Sequence, residues 1–258
     1  MSTKTIAIAS GKGGSGKTTV AVNLASAMGN SGRKVLLFDA DVGTANAHIA
    51  FRKKINYSLP DALRADISLS DTLVPVAKNV DLISGGTGYS DFVKLDSENI
   101  YASIRSFSEL EGRYDYLIID LPAGISELIV EIMKASDLKV IVGNNDPSSV
   151  ADSYALLKVL RSHQEKMDVL FIPNKVNTMR DGEMLYNKVN ALTQKYISLS
   201  LSYINGLTHS NDYDLAWVKG QPLCAQQENS KTKSEFESIA KGLNNPVDST
   251  KGGISFFS

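Results

Sequence analysis

Short apolar runs closed by polar corners alternate along this chain with longer stretches in which apolar residues return every three or four positions. The runs at 5–10, 34–39, 80–84, 116–120, 138–142 and 169–174 predict strands, and 199–204 predicts a further one. In Val35-Leu36-Leu37-Phe38 and Tyr116-Leu117-Ile118-Ile119 the apolar character is continuous rather than alternating, as expected of parallel strands covered on both faces. The stretches at 17–28, 100–110, 128–135, 150–162, 182–194 and 234–243 predict helices; Val150, Tyr154, Leu157 and Leu160 keep close to a 3.6-residue period. Strand–helix alternation throughout predicts an α/β fold, a doubly wound and mostly parallel sheet with helices on both faces. With no internal repeat or low-complexity linker, residues 1–243 read as a single domain. Residues 244–258, rich in Asn, Ser and Gly and interrupted by Pro246, read as a flexible tail.

Composition narrows the function classes. The 258 residues are 43% hydrophobic and 21% charged, ordinary for a globular chain, and the net charge of -1 supplies no global basic field for nucleic acid or an anionic membrane. DNA binding is therefore a lesser expectation. A single cysteine, Cys224, excludes an internal disulfide and any CxxC metal site from one chain. The start, MSTKTIAIASGKGG, lacks a signal-peptide pattern. No apolar run reaches the about 18 residues a membrane-spanning helix needs. The expected location is cytoplasmic.

The most specific signal is Gly11-Lys12-Gly13-Gly14-Ser15-Gly16-Lys17-Thr18, which meets G-x-x-x-x-G-K-[ST] at every fixed position between a predicted strand and a predicted helix. A chain of this size meets the pattern by chance about once in a hundred, and the strand–helix context lowers that further. Glycines let backbone N–H groups converge on phosphate oxygens, and the helix N-terminus adds its orphan donors. Lys17 is placed to reach the β- and γ-phosphates and the Thr18 hydroxyl to sit on Mg²⁺, so ATP and Mg²⁺ are the expected cofactors. Two carboxylates, Asp39 and Asp41, follow the second strand, and Asp120 closes the run 116–120. Strand-end carboxylates are either turn residues or, at the ligand-binding edge of a parallel sheet, part of a site.

Lys12–Thr19 reads K-G-G-x-G-K-T-T and resembles the deviant Walker A loop of the MinD/ParA family of ATPases. That resemblance implies that Gly11, Gly13, Gly14, Ser15, Gly16, Lys17, Thr18 and Thr19 hold the nucleotide, and that Lys12 crosses a homodimer to the partner's phosphates. Asp39-Ala40-Asp41-Val42-Gly43-Thr44-Ala45-Asn46 is similar to the family's first switch. It implies that Asp41 polarises the attacking water and Asp39 supports the Mg²⁺ shell. Asp120-Leu121-Pro122-Ala123-Gly124-Ile125 looks like a Walker B strand and second switch, with Asp120 near the metal through water. Asn174 matches a family asparagine that contacts adenine. The segment 144–154 resembles a family stretch near the dimer interface, but with Asn144 and Asp146-Pro147 where that stretch has Thr and Pro-Glu. Ser148 or Ser149 is the expected helix cap there.

The run as a whole looks most like the FlhG/FleN-type flagellar-number regulators, although the chain begins almost at the phosphate-loop strand, without the extension those members place before it. The implied function is a slow ATPase that dimerises with ATP, engages an unidentified protein partner or a membrane surface, and is reset by hydrolysis. A ParA-type cargo or DNA positioner and a metabolic ATP-dependent enzyme on the same fold are the alternatives. The tail ends Ile254-Ser255-Phe256-Phe257-Ser258 with one nearby lysine, Lys251, weak beside a basic amphipathic anchor. His48, His163 and His209 lack ligand spacing, Trp217 reads as packing, and Lys231, Lys233 and Lys241 read as a mixed, solvated face beside Glu235 and Glu237.

Overall fold

The structure is a computed structural model that describes residues 3–41, 45–64, 67–86 and 104–243. The continuous apolar runs become the strands of one seven-stranded sheet: β1 Lys4–Ser10, β2 Val35–Asp39, β3 Val74–Ala77, β4 Val80–Ser84, β5 Tyr116–Ala123, β6 Leu138–Gly143 and β7 Val169–Pro173. Their spatial order is β3-β4-β2-β5-β1-β6-β7, all parallel except β3, which pairs antiparallel with β4 at the edge. The eight described helices are α1 Lys17–Asn30, α2 Ala47–Ala50, α3 Leu59–Arg64, α4 Glu127–Ala135, α5 Pro147–His163, α6 Met179–Ile197, α7 Asp212–Lys219 and α8 Lys231–Leu243.

Because side chains alternate across a strand, each strand feeds two cores. Ala7, Leu36, Phe38, Leu117, Ile119 and Ile141 face the core built with α4, α5 and α6. Ile6, Ile8, Leu37, Ile118, Val140 and Ile172 face the core built with α1 and α8. Residues from β1, β2 and β5 are buried on both sides, which is why their sequences show no polar alternation. The chain leaves β1 for β2 on one side of the sheet and later places β6 on the other side of β1. The switch point, where ligands bind in such sheets, therefore lies at the C-terminal ends of β1, β2 and β5.

One expectation needs correction. The run 199–204 is not a strand: Ser202 makes an isolated parallel bridge with Leu170. The reason is local, since the Leu201 N–H donates to the Asn190 side chain and its carbonyl accepts from Tyr186. Those main-chain groups are taken by side chains of α6, and the ladder stops. Of the helix expected at 100–110, residues 104–106 are α-helical and run into a 3₁₀ turn, Phe107–Leu110, and residues 100–103 lie outside the described residues. The tail 244–258 lies outside the described residues, as do Val42, Gly43 and Thr44. The edge strand β3 and the short helices α2, α3 and α7 lacked a periodic signature long enough to read.

Candidate functional site

The loop that follows β1 turns back over the end of the sheet and enters α1 at Lys17. Gly16 is the residue before α1, at φ +87°, and no side chain caps the helix there, so the first-turn N–H groups of α1 stay available to a ligand. Two glycines are sterically required. A Cβ on Gly16 would overlap Asn174 Nδ2, and one on Gly11 would overlap the Asp152 backbone in α5. The loop lines a cleft of about 250 Å³ together with Thr19, Asp41, Asn46 and Ala123.

Asp39 and Asp120 are neighbours in register on β2 and β5, and both are almost fully buried. Asp39 is held by main-chain donors: the N–H of Asp41 at 3.2 Å, and those of Asn46 and Ala47 at 2.8 Å each. Burial, then the nearby Asp120 charge, pushes its pKa up to about 7 against those three hydrogen bonds. Asp120 is also raised, chiefly by burial, with Lys17 and the Thr18 hydroxyl opposing. Lys17 Nζ reaches Asp120 Oδ1 at 2.9 Å in a buried pair. Removing water from two charges costs about as much as their attraction returns, so such a pair is weak evidence of a purely stabilising role.

Asp120 Oδ2 and Ser15 Oγ are buried without a hydrogen-bond partner. An unmatched carboxylate oxygen beside the Thr18 hydroxyl, and an unmatched hydroxyl inside a glycine loop, fit a hydrated divalent cation and a phosphate. Among the described residues no group of three or more His, Cys, Asp and Glu could hold a metal by themselves. Mg²⁺ takes one or two carboxylates with waters and phosphate oxygens, a donor set that Asp120 and the Thr18 hydroxyl would fit.

The loop's two lysines point to different places. Lys17 turns inward, whereas Lys12 is about half exposed at 49% and its ammonium meets Ser148 Oγ at 2.5 Å and Asp146 Oδ2 at 3.5 Å. Asp146, rather than Ser148 or Ser149, is the cap of α5: it accepts from the Ser148 N–H, with Pro147 in the first turn. Ser149 instead accepts from the Asn144 N–H. Hydrogen bonds from the Ser148 hydroxyl and backbone hold the Asp146 pKa below its ordinary value, with Lys12 adding to them.

Asn174 is buried, and its amide donates to the Ser15 carbonyl at 2.7 Å. Lys175, at φ +56°, donates its ammonium to the Gly14 carbonyl at 2.9 Å. The end of β7 thus props the phosphate loop from behind, a task the sequence did not reveal. Two further supports were unread. Trp217 Nε1 donates to Thr19 Oγ1 at 3.2 Å, so Trp217 does more than pack. Glu235 accepts from the Thr208 N–H and hydroxyl at 2.9 and 2.8 Å, holding the loop 205–212. Lys233 and Glu235 are buried at 7% and 4%, which corrects the expectation for these two, whereas Lys231, Glu237 and Lys241 are exposed as expected. Spacing alone could have flagged these two, because they share the α8 stripe with Phe236 and Ile239.

A family model described as an AAA domain matches residues 3–172. The antiactivator FleN of Pseudomonas aeruginosa is 28% identical over 254 residues, covering 98% of this chain and 91% of FleN. The flagellum site-determining protein YlxH of Helicobacter pylori is 32% identical over 213 residues, covering 81% of this chain and 71% of YlxH. Among solved structures, the septum site-determining protein MinD of Pyrococcus horikoshii, complexed with Mg-ADP, aligns with a TM-score of 0.78 at 26% identity, over 94% of this chain and 96% of that one.

Proposed function

This chain belongs to the MinD/ParA family of P-loop ATPases, with FlhG-type proteins among its relatives, and on that premise we propose that it is an ATP-dependent dimerisation switch that controls the number or position of a cellular structure, flagella foremost. ATP and Mg²⁺ are its cofactors. Gly11 and Gly13 to Thr19 bind the phosphates, with Asn174 set beside them and shaping the loop that does so. Thr18 and Asp120 would hold Mg²⁺, with Asp39 supporting its shell. The bound ion would draw charge off the transferring phosphoryl group.

The chain's own residues supply the rest. Lys17, buried against Asp120, would turn its charge to the β- and γ-phosphates of a bound nucleotide. Asp41, on the cleft wall, orients the attacking water. The observation that carries the switch reading is the divided placement of the two lysines. Lys12 lines the cleft, yet its ammonium turns to the Asp146–Ser148 corner, half exposed, where a second copy can receive it. Transferred to the partner's phosphates, it would stabilise charge that develops only in the transition state, so that hydrolysis requires the dimer. A protein partner would read the ATP-bound dimer and be released when turnover ends it.

Light scattering with ATP and with ADP, run beside phosphate release, tests this. Asp41→Ala is expected to dimerise with ATP and not turn over, Lys17→Ala to remain monomeric, and Lys12→Ala to bind nucleotide without hydrolysing it. ATP-dependent dimers in Lys17→Ala, or normal turnover in Asp41→Ala, would overturn the assignments. Counting flagella in cells lacking the protein tests the biological half, and an unchanged number and placement would refute it.

A further inference from the structure

A second cavity, of about 380 Å³, shares no lining residue with the phosphate-loop cleft. Its size lies within the range of small-molecule sites. Lys53 and Lys54 supply its cationic groups and His48 from α2 an imidazole, and Asn56 and, at the end of β4, Ser84 and Gly86 add polar and main-chain lining. The one carboxylate among the lining residues, Asp61, is already engaged: its Oδ2 accepts from both the Ser58 N–H and the Ser58 hydroxyl at 2.7 Å. Those neutral donors orient Asp61 without cancelling its charge, and the lining still sets two lysines against one aspartate, a net bias toward anions. Burial lowers the His48 pKa, which leaves the imidazole neutral and able to serve as a hydrogen-bonding group near pH 7.

The cavity is fixed to the nucleotide site by main-chain bonds. The carboxylate of Asp39 receives the N–H groups of Asn46 and Ala47, which begin the helix carrying His48. The Asp39 carbonyl accepts from the Gly85 N–H at 2.7 Å, between Ser84 and Gly86. The His48 carbonyl in turn accepts from the Lys53 N–H at 3.0 Å. Asp39 therefore holds both the α2 wall and the β4 wall.

We propose that this cavity binds a small soluble phosphate ester, and that its occupancy is felt at the nucleotide cleft through Asp39. Two ammonium groups and an imidazole offer more donors than a monocarboxylate can use. A phosphate monoester brings three terminal oxygens and a charge near −2 at pH 7. The coupling rests on the reading of Asp39 as part of the nucleotide site, whereas the binding does not.

The test uses the full chain saturated with Mg-ADP, so that the α- and β-phosphate positions of the loop are filled, and inorganic phosphate as the probe. The imidazole resonances of the three histidines are followed by ¹H–¹⁵N correlation, with His48 assigned by His48→Gln. The expected result is a saturable shift at His48 with His163 and His209 unmoved. Binding should be about tenfold weaker in Lys53→Ala/Lys54→Ala, as the loss of two exposed charges implies. No shift, or equal binding in that variant, overturns the site. The same titration in Lys17→Ala must persist; its loss would mean that phosphate was reporting the P-loop, and the inference falls. If Mg-ADP does not bind at all, the nucleotide reading fails while the Lys17→Ala titration still decides the second site. Phosphate should also change ADP affinity at least about threefold in the parent protein and not in the Lys53/Lys54 variant; an equal response in both overturns the coupling.

Discussion

Replacing Gly16 by alanine separates two contributions that meet at one atom. Gly16 holds φ +87°, where an L-residue costs about 1–2 kcal/mol. Its new Cβ would also overlap Asn174 Nδ2. Asn174 can yield only by giving up its buried bond to the Ser15 carbonyl, and an unpaired buried acceptor costs about 1–3 kcal/mol. Gly16→Ala should therefore destabilise the protein by about 2–5 kcal/mol. Asn174→Ala loses the same hydrogen bond without the backbone strain, about 1–3 kcal/mol. In the double variant that bond can be lost only once, so the two effects should be less than additive by about 1–3 kcal/mol. Urea denaturation of the apo protein measures all four corners of the cycle. Additive effects would show that Asn174 does not brace the loop, and the reasoning would fail. ATP affinity should fall with Gly16→Ala even where the fold survives, because the N–H groups of the loop lose their convergence.

Two other outcomes are expected. Lys139 donates to the Ser136 carbonyl, and burial pulls its pKa down to about 8 against the attraction of Asp137 and Asp168. With the folded value below the unfolded one, its contribution to stability is present above about pH 10.4 and is lost as pH falls through about 8. Lys139→Met should accordingly raise the melting temperature at pH 7 by more than at pH 10, and a gap that does not narrow with rising pH would refute the burial argument. Trp217 is the only tryptophan and donates to Thr19 Oγ1 next to the phosphate-binding turn, so ATP or ADP should change the intrinsic emission. Unchanged emission at saturating nucleotide would place Trp217 outside the responding part of the site.

The phosphate loop was legible in the chain because its chemistry is local: eight consecutive residues carry the turn, the donors and the lysine, and the flanking apolar runs place them between a strand and a helix. The same holds for β2 and β5, whose continuous apolar sequences announced burial on both faces and whose terminal aspartates fell at the ligand edge. What the chain could not announce were pairings across large separations. Asn174 meets Ser15 across 159 positions, Trp217 meets Thr19 across 198, and Lys12 meets Ser148 across 136. Each needs the strand order that folds β7, α7 and α5 back around β1, and no periodicity encodes that order. Burial of Lys233 and Glu235 is marked by the α8 stripe they share with Phe236 and Ile239, but the partners that satisfy them, the Gln226 carbonyl and Thr208, lie outside that helix and only the tertiary structure supplies them. Local spacing determined the elements and the phosphate-binding chemistry, whereas the packing of distant segments decided which polar groups hold that chemistry in shape.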